Sequence, residues 1–188
     1  MTDIKKYLQW NKKAWNTRTP THIASKFYNQ NKFLSGNTTL NTIELDSLGD
    51  IKDKTLLHLQ CHFGQDSISL DRMGAQVTAV DFSDISISEA KKLNLKNNTN
   101  VRFIESDVLN LNLNKKFDLV FSSYGVIGWL PDLNAWAKTI SNHLKKGGEF
   151  LLTEFHPFLS LIIDDDQDYF FHLQPHIEKS NSTYTDGK

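Results

Sequence analysis

The 188-residue chain has a single cysteine, so no disulfide can close within it and stability has to come from packing. An excess of charge of one sign is also missing: 21 Lys plus Arg stand against 22 Asp plus Glu, a formal net charge of -1. That balance argues against nucleic acid or an anionic membrane as partner and favours a small-molecule substrate. No uninterrupted apolar run long enough for a bilayer is present, nor an N-terminal signal pattern, and a cytoplasmic protein is expected. Repeats and low-complexity tracts are lacking too. The 39% hydrophobic content suffices for one substantial core but not for two full domains. A single domain over 1–188 is therefore expected, with a helical N-terminal cap over 1–50, a core over 51–157 and a C-terminal segment over 158–188.

Glycine is scarce where it matters most. Leu56, Leu57 and Leu59 form an apolar run that stops at CHFG, as a buried strand entering a tight turn does. Asp66 then opens a helix with Ile68, Leu70 and Met73 as its buried side, and Gly74 stops it. Gln76 to Val80 alternates as a second strand and ends on Asp81, about 20 residues after the turn. Strand, turn, helix, strand and acid make the mononucleotide-binding half of a Rossmann-like sheet, in which a carboxylate can accept from both hydroxyls of a ribose. A dinucleotide site wants several glycines for its pyrophosphate, yet this turn has only Gly64 and sets Asp66 where phosphate would lie. S-adenosylmethionine brings a ribose and a cationic sulfonium but no phosphate, and tolerates that carboxylate.

Thr55 to Asp84 resembles motif I and the following acidic loop of the class I S-adenosylmethionine-dependent methyltransferases, whose usual turn reads (V/L)LDLGCGTG. Leu56, Leu57, Leu59, Cys61 and Gly64 agree with it. The usual acid is replaced by His58, and the first two glycines by Gln60 and His62. HLQCHFGQD followed by VDFSD is similar to a bacterial subset with this altered turn. The resemblance implies an α/β fold: a mostly parallel central sheet with helices on both faces and a helical N-terminal extension. It also implies that Gln60, Cys61, His62 and Gly64 surround the methionine end, and that Asp81, Phe82 and Ser83 lie at the ribose. Asp107 would meet the adenine amino group and the Val108 amide the ring nitrogen, although a carboxylate there also starts a turn. In the resembled family the N-terminal extension folds over the cofactor, which would give His22 and Tyr28 a binding role; the alternative is an aromatic flap that merely packs. Ile4, Leu8 and Trp15 share a helical face in that region, and Pro20 and Gly36 punctuate the remainder of it.

Further along, Ser83 caps a helix with Ile87, Ala90 and Leu93 buried, and Val101 to Ile104 is a third strand. Phe117 to Phe121 is a fourth, followed by Ser122 and Ser123, small hydroxyl residues where ligands border a parallel sheet. Pro131 and Asp132 open a helix that Gly147 and Gly148 end, and Glu149 to Glu154 is a fifth strand. Leu159 to Ile163 reads as helical, and YFFHL and NSTYT as short strands. The resembled fold has seven strands in the order 3-2-1-4-5-7-6, and only about thirty residues follow Glu154, so the sheet is expected to be incomplete on that side. The fifth strand would then be an apolar edge open to pairing, for instance in a homodimer.

The function expected is methyl transfer from S-adenosylmethionine to a small molecule. His156 is the candidate base and Tyr124 the candidate for orienting the acceptor, against a packing or surface role for both. His58 and His62 have no partner at metal spacing and are read as structural, with no metal expected. A non-catalytic binding module of the same fold is the alternative, and a nicotinamide-dependent oxidoreductase ranks last.

Overall fold

The computed structural model describes residues 4–155. Three helices lead in: α1 (Ile4–Ala24), α2 (Gln30–Leu34) and α3 (Thr42–Leu48). They are followed by β1 (Thr55–Leu59), α4 (Gln65–Arg72), β2 (Gln76–Asp81), α5 (Asp84–Asn97) and β3 (Arg102–Glu105). β4 (Phe117–Ser123), a 3-10 turn (Ile127–Trp129), α6 (Leu133–His143) and β5 (Leu144–Thr153) complete the described chain. The sheet runs β3-β2-β1-β4-β5, every pair parallel. This is the expected mostly parallel Rossmann-like sheet.

Successive side chains of a strand face opposite sides of the sheet, and β1 divides its residues accordingly. Leu56 packs with Ile68, Leu70, Ile87, Ala90 and Phe103 in one apolar layer, which Phe33, Leu40 and Leu48 of the N-terminal segment extend. Leu57 and Leu59 pack with Val80, Val120, Trp136 and Ile140 in the other. Helices on both faces follow from that division. Each fully buried leucine or isoleucine contributes about 1.5–3 kcal/mol. Because all the strands are parallel, Leu59, Asp81, Glu105 and Ser123 end along one edge of the sheet, and ligands bind along such an edge.

Three expectations need correction. Pro20 does not interrupt the N-terminal segment but lies inside α1. Its missing N–H costs a helical bond, while contacts of Thr19 and His22 with the body hold the turns on either side of it. The expected docking face Ile4, Leu8 and Trp15 is used only in part: Ile4 is 48% exposed, whereas Trp15 packs against His62 and Trp129, and the buried residues are Asn11, Thr19 and His22. Finally, α6 ends at His143 rather than at Gly147, and β5 begins at once with Leu144 opposite Phe117. The next partners are Leu119 and Glu149, so Lys145 to Gly148 bulge out of register. Gly147 takes φ +77° in that bulge, and a Cβ on Gly148 would lie about 3 Å from three carbonyl oxygens. The two glycines therefore shape an irregular strand start. Lys145 anchors it through Asp118, at 2.9 and 2.8 Å. The expected helix and strands beyond Pro157, and the completeness of the sheet there, lie outside the described residues.

Candidate active site

The turn after β1 adopts a glycine-type backbone without the glycines. Gln60, His62 and Gly64 have φ of 57°, 52° and 84°. For a residue with a Cβ the left-handed region costs about 1–2 kcal/mol, so two such residues in five signal a backbone path imposed by its surroundings. Two hydrogen bonds impose it: the Cys61 amide donates to the Val80 carbonyl at 3.0 Å and the His62 amide to Asp81 Oδ2 at 2.9 Å. Gly64 is the one position with no latitude, since a Cβ there would meet the Phe103 ring at 2.5 Å.

Asp81 closes β2 against this turn. Its Oδ1 accepts the Ser83 amide at 2.9 Å, and the residue is only 7% exposed. Burial pushes its carboxyl up to about 6, against the pull of the Ser83 and His62 amides. Phe82 is half-buried. The Ser83 hydroxyl is committed, accepting the Ser86 amide at 3.0 Å as the cap of α5 and donating to Asn16 Oδ1 at 2.6 Å. Burial also pushes the Cys61 thiol well up. His58 lies in the strand itself, 2% exposed, with Nδ1 2.8 Å from Ser67 Oγ. Burial drives its pKa down to about 3, so the position occupied by an acid in the resembled turn carries no charge here at neutral pH.

Asp107 holds its own loop: Oδ1 accepts the Leu109 amide and Oδ2 the Asn110 side chain, each at 2.9 Å. The Val108 side chain joins the apolar layer of Leu57 and Val120. After β4, the buried Ser122 hydroxyl donates to the Leu59 carbonyl at 3.2 Å, and Ser123 Oγ donates to Asp66 Oδ2 at 3.0 Å. Tyr124 takes φ 45° and accepts from Asn41 Nδ2 at 3.1 Å through its hydroxyl. Burial, then Glu44, push that hydroxyl up to about 12; at neutral pH it is a donor and not a base. His156 lies outside the described residues.

The N-terminal helix packs over these strand ends. Along one face of α1, Asn11 donates to the Trp129 carbonyl at 3.1 Å, and Lys12 bridges Glu105 at 2.7 Å and Asp84 at 3.1 Å. Asn16 donates to Asp84 at 3.0 Å, and Thr19 meets Ser86 at 2.7 Å. His22 Nδ1 lies 2.9 Å from His62 Nε2, and His62 Nδ1 lies 3.1 Å from Ser86 Oγ. His62 is pushed down to about 3, by burial and then by His22. Tyr28 stacks on His22 at 5.2 Å. The Trp15 ring sits between the turn and the loop after β4, 5.2 Å from His62 and 5.4 Å from Trp129. His22 and Tyr28 are thus brought to the turn, through an inter-element network with no local sequence signal.

Glu154 was not singled out from the sequence. Its carboxylate accepts from the Gly125, Val126, Ile127 and Phe155 amides and so fixes the loop after β4. Burial opposes its ionisation, but those amides outweigh it and hold the carboxyl below the usual range. An acid closing an apolar strand was its only mark in the sequence. Among the described residues no cluster of three or more His, Cys, Asp or Glu is arranged for a metal ion, and no helix is long and apolar enough to cross a membrane.

Residues 56–148 match a family model described as a methyltransferase domain. A malonyl-[acyl-carrier protein] O-methyltransferase of Acetivibrio thermocellus is 31% identical over 121 residues, which are 63% of this chain and 41% of that protein. An S-adenosylmethionine-dependent methyltransferase from Clostridium acetobutylicum superposes with a TM-score of 0.53 at 26% identity, over 76% of this chain and 56% of that one. The DhpI complex with SAH shares the fold, with a TM-score of 0.58 at 21% identity over 76% and 66%. The chain thus spans 41% of the curated relative's length. Together these matches show that the core of the chain is similar to S-adenosylmethionine-dependent methyltransferases.

Proposed function

We propose, from the methyltransferase domain matched over residues 56–148, that this chain transfers a methyl group from S-adenosylmethionine to a small-molecule acceptor. The observation that carries the reading is the buried Asp81 carboxylate, which closes β2 and holds the His62 amide of the turn. When bound, S-adenosylmethionine would supply an electrophilic methyl carbon to the acceptor's lone pair, with sulfur as the leaving group.

The residues of this chain have the remaining tasks. Asp81 accepts from the ribose hydroxyls, with Phe82 and Ser83 alongside. The backbone from Gln60 through Cys61 and His62 to Gly64 surrounds the methionine end, and Asp107 with the Val108 amide takes the adenine. Ser122 and Ser123 border the methyl group, while His22 and Tyr28 cover the site from the N-terminal segment. Tyr124 orients the acceptor through its protonated hydroxyl and His156 takes the acceptor proton. Such catalysis rests chiefly on proximity and orientation. The near-neutral charge supports a small molecule rather than nucleic acid. The cytoplasm is the compartment this reading implies, and the outer edge of β5 is where a second copy pairs.

Hydrogen bonds to a charged group are worth about 1.5–3 kcal/mol each, so Asp81→Ala is expected to weaken S-adenosylhomocysteine binding at least about tenfold. Calorimetry giving equal affinity for variant and wild type removes the assignment. Once an acceptor is found, Tyr124→Phe and His156→Ala are expected to lower turnover, by about 10²-fold or more for loss of a general base. A loss below about tenfold for His156→Ala assigns that residue to packing or binding instead.

A further inference from the structure

Asp66 stands in the first turn of α4, directly after the turn, and its carboxylate lies in a mostly desolvated position. Two hydroxyls donate to it, Thr39 Oγ1 at 2.5 Å from the N-terminal segment and Ser123 Oγ at 3.0 Å from the end of β4. Both donors are neutral. Among the described residues no Lys, Arg or His forms an ion pair with this carboxylate. An ionised group kept out of water without a counter-ion is costly, and burial accordingly pushes the Asp66 carboxyl up. Carboxyls perturbed by burial in this way cluster at functional sites, and a cationic ligand would restore the charged form. The strand position that carries an acid in the resembled turn supplies no negative charge, because His58 is buried and neutral.

We infer that Asp66 is the counter-charge for the ammonium group at the amino-acid end of S-adenosylmethionine. This rests on the cofactor reading above and deepens it. Asp81 lies across the turn, at the end of β2, so the two carboxylates divide the ligand, Asp81 on the ribose and Asp66 on the amine. Ser123 then aims Asp66 from the loop bordering the methyl group, and Thr39 aims it from the covering segment. A purely structural pin between α4, β4 and the N-terminal segment is the competing role, and the two roles differ in what they discriminate. A pin supports every ligand alike; a counter-charge supports only ligands that carry the amine.

The test is calorimetry on the full chain with S-adenosylhomocysteine, its deaminated analogue and 5′-methylthioadenosine, which lacks the whole amino-acid end. Asp66→Asn preserves size and an acceptor oxygen. It is expected to weaken S-adenosylhomocysteine about tenfold or more while leaving 5′-methylthioadenosine within about twofold. Equal losses for both ligands, or no loss for S-adenosylhomocysteine, overturn the inference. The wild type provides a second measurement independent of how the variant folds: the deaminated analogue is expected to bind about tenfold or more weakly than S-adenosylhomocysteine, and equal affinity again overturns the inference. A wild type that binds none of the three overturns the cofactor reading itself.

Discussion

At the scale of single residues, His58 shows how a buried base affects stability. In the fold it is neutral, with a pKa near 3, whereas in the unfolded chain it takes a proton near 6.5. The unfolded state therefore binds more protons below pH 6.5, and the stability His58 confers at neutral pH is lost as pH falls from about 6.5 toward 3. His58→Asn removes that titration. Wild type is expected to lose stability relative to this variant by about 1.4 kcal/mol per pH unit across the acid limb of that window. Urea unfolding of both proteins between pH 7.5 and 4.5 checks it, and a pH-independent difference contradicts a buried neutral imidazole. Asp81, shifted in the opposite direction, is present in both proteins and drops out of the comparison.

Among the elements, β1, α4 and β2 were legible because each is written locally. Leu56 to Leu59, Ile68 and Leu70, and Val77 to Val80 carry strand and helix periods at short range. α1 was legible as a helix but not in how it docks, since its contacts with Asp84, Ser86, Glu105 and Trp129 cross 67 to 118 positions and join polar groups. No hydrophobic stripe announces such a face. The same holds for the site. Asp81 is readable from its distance to the turn, whereas the engagement of Glu154 with four amides depends on how β4 and β5 come together.

On the proposed cofactor reading, α1, held over the strand ends by polar contacts, has to shift for the ligand to enter. Asn16→Ala with Thr19→Ala removes bonds worth about 1–3 kcal/mol in total, raising the fraction of molecules open to ligand. The association rate of S-adenosylhomocysteine, followed by stopped-flow tryptophan fluorescence, is expected to rise about fivefold or more. An unchanged rate means that the ligand enters without moving α1.

For the whole molecule, the consequential fact is that β5 has β4 as its only strand partner among the described residues, while Phe150 on it is 37% exposed. The apolar stretch Phe150 to Leu152 lies on this strand, whose outer edge offers unpaired backbone groups to another chain. Self-association through this edge is expected to give a light-scattering mass of about twice 21.6 kDa at micromolar concentration. A mass of one chain at all concentrations excludes it.

Cys61, the lone thiol of the chain, is buried in the turn itself, next to the amide that grips Asp81. Buried and protonated, it is silent toward thiol reagents while the turn is closed. The chain therefore carries a built-in clock: the rate at which this thiol is alkylated counts the moments at which the turn unlatches. No label or added cysteine is needed to read it.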